Sequence, residues 1–201
     1  MTTEWEIPHR VKEQQFYIPP APRPDTPCLD LAPGANQFGM KDFTEKLGYT
    51  YTVANSDPKE NGVLKEDLCN LSFKDGAFGL VMCSHVLDRV ESPMTACQQL
   101  FRVLDSEGLC ILSLPCSFTG ETRRVDHSKG RGFTWQFGYR QVQEMITQPG
   151  FHIGLEVVRP AAIATNYLAI LHKGLPRELF VGALSFAAKL QERREKAAGI
   201  R

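Results

Sequence analysis

The feature that most constrains the fold is an alternation of short apolar runs with amphipathic segments. Residues 78–84 (FGLVMCS) and 108–114 (GLCILSL) are almost continuously apolar, as is typical of strands buried on both faces. Between them, residues 93–104 carry apolar side chains at three- and four-residue spacing, which predicts a helix. The shorter predicted strands 28–32, 49–54 and 63–64 and the predicted helix 39–47 precede them. This order predicts an α/β fold, with a parallel sheet covered by helices on both faces.

The second half of the chain predicts an antiparallel end to the sheet. Residues 115–132 are polar and basic and predict a long loop, and residues 136–148 predict a helix. Residues 151–158 and 163–172 predict two strands. The connection between these strands is too short for a crossover, so they should pair antiparallel. The predicted sheet therefore has seven mostly parallel strands and an antiparallel last hairpin.

Length and proline content divide the chain into three parts. A chain of 201 residues suits one domain, which we assign to residues 27–175. Residues 1–26 form a proline-rich arm, because prolines at this density oppose both helix and central strand. We expect this arm and the loop over residues 115–133 to close over a ligand. Residues 176–201 predict a C-terminal helix, apolar nearly all round in its first half, which covers the sheet, lies on a membrane surface or forms a homodimer contact.

Charge and cysteine content exclude several classes of function. The chain has 23 basic and 23 acidic residues, so we expect neither nucleic acid nor an anionic membrane as a partner. No apolar stretch reaches the roughly 18 residues of a membrane span, and no signal-peptide core is present. The six cysteines show no metal-ligand spacing, so we expect no metal site. We interpret them as reduced core thiols, which favours the cytoplasm.

A tight turn follows the first predicted strand. Asp30 lies near the end of that strand, and Pro33-Gly34-Ala35-Asn36 leads into the next helix. Such a turn brings backbone close to a ligand and offers the free N–H groups of a helix N-terminus. The turn has neither the Gly-x-Gly-x-x-Gly of nicotinamide-binding proteins nor the Gly-Lys-Ser/Thr of a phosphate loop. Its ligand is therefore indicated only by the residues that follow it.

The downstream segments resemble a known family. The chain reads EDLCNLSFKDGAFGLV over 66–81, SHVLDRVESP over 84–93, LFRVLDSEG over 100–108 and LSLP over 112–115. This ordered series resembles the class I S-adenosylmethionine-dependent methyltransferases, in the branch that acts mostly on small molecules. Two later segments, HSKGRGFT after residue 126 and PGF after residue 148, resemble the same family. The resemblance implies a Rossmann-like sheet, S-adenosyl-L-methionine as cofactor and a small-molecule acceptor.

The resemblance also implies how the cofactor is bound. It places four residues around the methionine portion: Asp30, Ala32, Gly34 and Asn36. For the ribose it leaves two alternatives, since Asn55 occupies the usual position of an acid and Asp57 follows two residues later. Asp67 would accept from the adenine amino group, with Leu68 beside the ring. Ser84 would face the methionine end of the cofactor.

Histidines and arginines supply the predicted acceptor side. His127 is our first choice of general base, because its segment follows the fifth predicted strand at the carboxyl edge of the sheet, and His85 is the second. Three arginines form a basic cluster suited to an acceptor carboxylate or phosphate: Arg123, Arg124 and Arg131. We therefore expect methyl transfer to an oxygen or nitrogen of a small polar, and in one version anionic, acceptor.

Departures from the family pattern leave alternatives open. Ala32 and Asn36 stand where the family has glycines, and Asn55 stands where it has an acid. These changes favour a second hypothesis, a catalytically degenerate relative that binds the cofactor and serves as a partner or regulatory subunit. A third hypothesis is a nicotinamide-dependent oxidoreductase. That class should show a fuller glycine turn and an acid directly after the second strand.

Overall fold

The computed structural model of the protein describes residues 17–33, 37–117, 120–127, 133–159 and 165–174. Several predicted features therefore lie outside the described residues: Gly34, Asn36, Arg131, residues 1–16 of the arm and the C-terminal helix 176–201. Among the described residues, no helix is both long and apolar enough to cross a bilayer.

The described residues form nine strands and three α-helices. The strands are β1 Thr26–Leu31, β2 Tyr49–Asn55, β3 Leu64–Lys65, β4 Phe78–Ser84, β5 Leu104–Ser117, β6 Arg123–Asp126, β7 Phe133–Gly138, β8 His152–Arg159 and β9 Thr165–His172. The helices are α1 Gln37–Lys46, α2 Pro93–Val103 and α3 Tyr139–Thr147. A short 3-10 turn, Leu87–Arg89, lies between β4 and α2.

The predicted α/β sheet is confirmed. Five parallel strands lie in the order β3-β2-β1-β4-β5, with Leu29 beside Val81 and Val81 beside Cys110. β9 then pairs antiparallel with β5, and β8 pairs antiparallel with β9. These seven strands form the expected mostly parallel sheet with its antiparallel last hairpin. Parallel strands must be covered on both faces, which explains their continuous apolar sequences.

The loop predicted for residues 115–132 is wrong. β5 continues to Ser117, and β6 pairs antiparallel with β7 to form a hairpin, here called the β6–β7 hairpin. β7 also pairs with the end of β5 at Phe137 and Gly138, so the following helix begins at Tyr139 rather than at residue 136. β6 is mostly exposed and lacks an alternating apolar pattern, so its sequence carries no strand signal.

The core occupies both faces of the sheet, and β1 shows how. Leu29 and Leu31 pack into one apolar cluster with residues of α2 and α3, while Cys28 packs into a second with Met40 of α1. Five of the six cysteines are buried, as predicted: Cys28, Cys83, Cys97, Cys110 and Cys116. Burial raises the pKa of the Cys97 thiol to about 12, which keeps this side chain neutral.

The described part of the N-terminal arm packs at the amino edge of the sheet. The Ala21 N–H donates to the Leu47 carbonyl oxygen at 2.8 Å, and the Tyr49 hydroxyl donates to the Pro19 carbonyl oxygen at 3.1 Å. Ile18 is 3% exposed and belongs to the apolar cluster around Cys28. These contacts place residues 17–26 at the edge opposite to the carboxyl ends of the strands.

Candidate functional site

A cavity of about 340 Å³ opens at the carboxyl edge of the sheet. Its lining residues come from the ends of β1 and β2 and from the segments after β3 and β4: Leu31, Ala32, Ala54, Asn55, Ser56, Glu66, Asp67, Leu68, Cys69, Val86, Arg89, Val90 and Glu91. Open α/β sheets bind ligands at this edge, because the strand ends leave a crevice between loops. The volume lies within the roughly 300–1,000 Å³ typical of small-molecule sites.

A tight turn after β3 fixes the acidic wall of the cavity. The Asp67 Oδ1 accepts from the Cys69 N–H at 2.9 Å, and the Asp67 carbonyl oxygen accepts from the Asn70 N–H at 2.8 Å. These bonds hold the carboxylate beside the cavity and leave Oδ2 as a further acceptor site. Leu68 is 5% exposed and belongs to the apolar core, so it forms an apolar wall next to the Asp67 carboxylate.

The end of β2 brings one of the two alternative ribose residues to the cavity. Asn55 lines it, whereas Asp57 does not. The Asn55 Oδ1 accepts from the Asp57 N–H at 3.2 Å, which turns the amide N–H₂ toward other partners. The exposed Asp57 pairs with Lys59 Nζ at 2.5 Å, and this hydrogen bond lowers the pKa of the Asp57 carboxyl.

Two residues at the strand ends adopt left-handed backbone. Ala32 follows β1 with φ 50°, and its N–H donates to the Ala54 carbonyl oxygen at 2.8 Å. His85 follows β4 with φ 52°, and its N–H donates to the Ser113 carbonyl oxygen at 2.8 Å. Such backbone favours glycine and costs a side-chain-bearing residue on the order of 1 kcal/mol. The chain thus keeps a sharp turn at Ala32, where the resembled family has glycine.

Asp30 faces away from the cavity. It lies on the same face of β1 as Cys28, is 5% exposed, and its Oδ2 accepts from the Tyr51 hydroxyl at 2.6 Å. Burial raises the pKa of the Asp30 carboxyl to about 7, although the Tyr51 hydrogen bond opposes this shift. The structure therefore places Asp30 beneath the turn rather than among the lining residues.

Ser84 and His85 lie at the end of β4, next to the cavity but not in its lining. Ser84 Oγ and Ser113 Oγ share a hydrogen bond of 2.9 Å across β4 and β5. Val86, the next residue, does line the cavity. The two predicted residues thus lie beside the cavity wall rather than in it.

The β6–β7 hairpin carries the predicted acceptor residues. His127 is exposed, and its Nε2 lies 2.9 Å from Thr134 Oγ1. Arg123 Nε donates to Gln136 Oε1 at 3.0 Å. Arg124 Nη1 donates to Glu91 Oε1 at 2.8 Å, and Arg124 Nε donates to Asp126 Oδ1 at 3.1 Å. The hydrogen bonds to these two carboxylates raise the pKa of the Arg124 guanidinium. Arg124 is therefore engaged by acids, whereas Arg123 meets a neutral amide.

Sequence reasoning missed most of the wall that follows β4. Residues 86–91, here called the 86–91 wall, supply Val86, Arg89, Val90 and Glu91 to the cavity. The segment belongs to the quoted family series, but its path depends on the buried Leu87 and on the start of α2. At that start the Thr95 N–H donates to Ser92 Oγ at 3.4 Å, and Pro93 occupies the first turn. This Ser-Pro pair, which marks the start of a helix, was the signal in the sequence from which the end of the wall could have been predicted.

The lining suits an adenosyl sulfonium compound. Leu31, Leu68 and Val86 offer apolar surface for a base, and Asp67 offers an acceptor for an exocyclic amine. The charged lining residues are three acids and one arginine: Glu66, Asp67, Glu91 and Arg89. This balance favours a cationic ligand over a phosphate-bearing one. Asn55 adds a neutral polar side chain to this lining.

Comparisons with known proteins agree with this geometry. The sequence model of the methyltransferase domain family matches residues 33–112. A putative S-adenosylmethionine-dependent methyltransferase from Listeria monocytogenes is 14% identical, with a TM-score of 0.61 over 86% of this chain and 100% of that one. The 1,6-didemethyltoxoflavin-N1-methyltransferase of Burkholderia thailandensis, solved with 1,6-didemethyltoxoflavin and S-adenosylhomocysteine, is 15% identical, with a TM-score of 0.66 over 86% and 82% of the two chains.

A third similar structure shows that the fold is not tied to one reaction. The [4+2]-cyclase SpnF is 13% identical, with a TM-score of 0.62 over 85% of this chain and 82% of that one. No curated protein sequence matches the chain. At such identities the structures establish the fold, and the family match covers residues 33–112. The chain thus has a segment that matches the methyltransferase domain family, within a fold that S-adenosylmethionine-dependent methyltransferases share.

Proposed function

We propose that the chain transfers the methyl group of S-adenosylmethionine to an oxygen or nitrogen atom of a small polar acceptor. The observation that carries this proposal is the cavity at the carboxyl edge, where Asn55 at the end of β2 meets Asp67 and Leu68 from the segment after β3. Asp67 would hold the adenine amine, Leu68 the face of the base and Asn55 the ribose. When bound, the cofactor supplies a methyl group already activated by its sulfonium.

The β6–β7 hairpin supports the choice of acceptor. It carries His127 as a general base and Arg123 as a cation with N–H donors beyond the one given to Gln136. A carboxylate or phosphate on the acceptor would fit Arg123 better than Arg124, which already meets two acids. The Burkholderia relative, by its name an N1-methyltransferase of a small molecule, supports a small acceptor with a nitrogen nucleophile.

The buried thiols support a cytoplasmic location within this proposal. Free cysteines persist in reducing compartments, and five of the six are shielded from solvent.

Replacing Asp67 with alanine tests the cofactor assignment. We expect the dissociation constant of S-adenosylhomocysteine, measured by calorimetry, to rise by about 10- to 100-fold, because a hydrogen bond to a charged group is lost. Asp67→Asn keeps an oxygen for the Cys69 N–H and should give a smaller loss. Asp42→Ala on the exposed face of α1 is the matched control and should bind like the parent.

Two results contradict the assignment. If the parent protein fails to bind S-adenosylhomocysteine and S-adenosylmethionine, the proposed function is wrong. If the parent binds and Asp67→Ala binds equally well, the adenine lies elsewhere in the cavity.

Replacing Asn55 with aspartate tests the ribose assignment in the opposite direction. The new carboxylate should keep the hydrogen bond from the Asp57 N–H and accept from ribose hydroxyls as a charged group. We expect the cofactor to bind about fivefold more tightly, since charged hydrogen bonds exceed neutral ones by roughly 1 kcal/mol. Asn61→Asp, on a separate groove beside β2, adds the same charge and should change the affinity little. An unchanged Asn55→Asp variant would remove this residue from the ribose site.

A further inference from the structure

We propose that Trp135, assisted by Arg124, is a positioning residue for cofactor binding, although neither side chain lines the cavity. Both lie on the β6–β7 hairpin, and both hold the 86–91 wall from outside. The proposal rests on the proposed function, because it assigns the cavity to the cofactor.

The 86–91 wall has a fully buried anchor near its start and a partly buried residue near its end. Leu87 is fully buried and fixes the 3-10 turn in the core. Val90 and Glu91 come after this turn and before the start of α2, and Val90 has extended backbone, with φ −91° and ψ 153°. Both residues line the cavity, but they lie between the two anchored elements. Val90 packs against the apolar core, and both residues also receive hydrogen bonds from outside the segment.

The hairpin provides these contacts. The Trp135 Nε1–H donates to the Val90 carbonyl oxygen at 2.9 Å, and Arg124 Nη1 donates to Glu91 Oε1 at 2.8 Å. Arg124 and Trp135 are directly opposite in the β6–β7 register, so their side chains share one face of the hairpin. One cross-strand pair thus donates hydrogen bonds to two consecutive residues of the 86–91 wall.

The hairpin face that carries Arg124 and Trp135 is itself fixed by contacts with other side chains. Phe133, Trp135 and Phe137 alternate along β7 and share that face. Trp135 stacks with Phe137 at 6.5 Å between ring centroids, and Phe137 is 3% exposed in the core. The Arg124 guanidinium lies 3.8 Å above the Phe133 ring, and its Nε donates to Asp126 Oδ1 at 3.1 Å. The two side chains are therefore oriented before any ligand binds.

The two contacts should not contribute equally. The Arg124 and Glu91 side chains are 40% and 73% exposed, and ion pairs this exposed are screened by water and contribute little. The Trp135 bond is partly buried and ends on a carbonyl oxygen of the wall backbone. We therefore assign the larger effect to Trp135.

Trp135→Phe tests the inference, because it keeps the stacked ring and removes the N–H donor. We expect the dissociation constant of S-adenosylhomocysteine to rise about 3- to 10-fold, through faster dissociation measured by stopped flow. A merely structural role would lower the competent fraction of protein and leave the dissociation rate unchanged. Tyr139→Phe is the matched control: it removes a 2.7 Å hydroxyl bond to Glu156 at the adjoining helix and should leave that rate unchanged.

The outcomes separate the two proposals. Failure of the parent protein to bind S-adenosylhomocysteine would contradict the proposed function itself. Binding by the parent, with equal dissociation rates in the parent and Trp135→Phe, would overturn only the positioning role. Should Trp135→Phe fold poorly, Arg124→Gln and Glu91→Gln provide a second test. Their effects on affinity should be non-additive in the double variant if Arg124 acts through Glu91, and additive if it does not.

Discussion

The Asp30→Asn variant is expected to lose the pH dependence of stability that the parent protein shows between about pH 4 and pH 7. The unfolded carboxyl has a pKa near 3.9, whereas burial raises the pKa of the folded Asp30 carboxyl to about 7. The folded state therefore holds the proton more tightly than the unfolded state. Its stabilising contribution is complete below about pH 4 and disappears as the pH rises through 7.

The expected size of this effect is large for a single residue. A difference of about three pKa units corresponds to on the order of 4 kcal/mol. Asparagine cannot ionise, yet its carbonyl oxygen can still accept from the Tyr51 hydroxyl. Urea unfolding at a series of pH values should show the parent losing stability relative to Asp30→Asn as the pH rises. Asp42→Asn, at an exposed position, should follow the parent. Parallel curves for the parent and Asp30→Asn would show that Asp30 is not buried as a neutral acid.

Replacement of His127 by alanine is expected to reduce turnover about 100-fold or more while leaving cofactor affinity unchanged. General base catalysis contributes roughly 10²- to 10⁴-fold when an acceptor must lose a proton. His127 Nε2 lies 2.9 Å from Thr134 Oγ1, which fixes the ring. When Nε2–H donates to this hydroxyl, Nδ1 is the nitrogen that can accept the proton. His127 is absent from the described cavity lining, so cofactor binding should not depend on it.

The measurement is label transfer from methyl-tritiated S-adenosylmethionine to pooled small amines, phenols and carboxylic acids, followed by kcat on the acceptor identified. His152→Ala is the matched control, since His152 is also exposed but pairs with His172 at the amino edge of the sheet. Equal losses of turnover and cofactor affinity in His127→Ala would remove His127 from the role of base. A loss confined to Thr134→Val would instead indicate a role for the threonine.

The sheet could be predicted from the sequence because apolar runs report burial directly. The strand at Phe78–Ser84 and the helix starting at Pro93 lie where the pattern puts them. The β6–β7 hairpin could not be predicted, because a polar exposed strand has no period to detect and is formed by its pairing partner. The sequence pattern thus fails in the segment that carries the residues proposed to bind the acceptor.

The candidate site could be predicted only in part, because topology places some of its residues and tertiary contacts place the others. Asp67, Leu68, Asn55 and Ala32 follow strands directly, so their position at the sheet edge follows from topology. The direction of Asp30 requires the two-residue period of β1, which places it with Cys28 and opposite Leu29. Val90 and Glu91 are contacted from the β6–β7 hairpin by Trp135 and Arg124, respectively, and no local pattern encodes such tertiary contacts.

The hairpin joins the main sheet over a very short distance. β7 pairs with β5 only at Cys116 and Ser117, beyond the last residue at which β5 pairs with β4. In the described part of the chain, no backbone pairing links β6 or β7 to β1 or β2, whose ends contribute to the cavity. Descendants of this protein can therefore lengthen or exchange the distal end of the hairpin while the register of the central strands is inherited intact. Natural selection thus has a region that can diverge while the strand ends that line the cavity are retained.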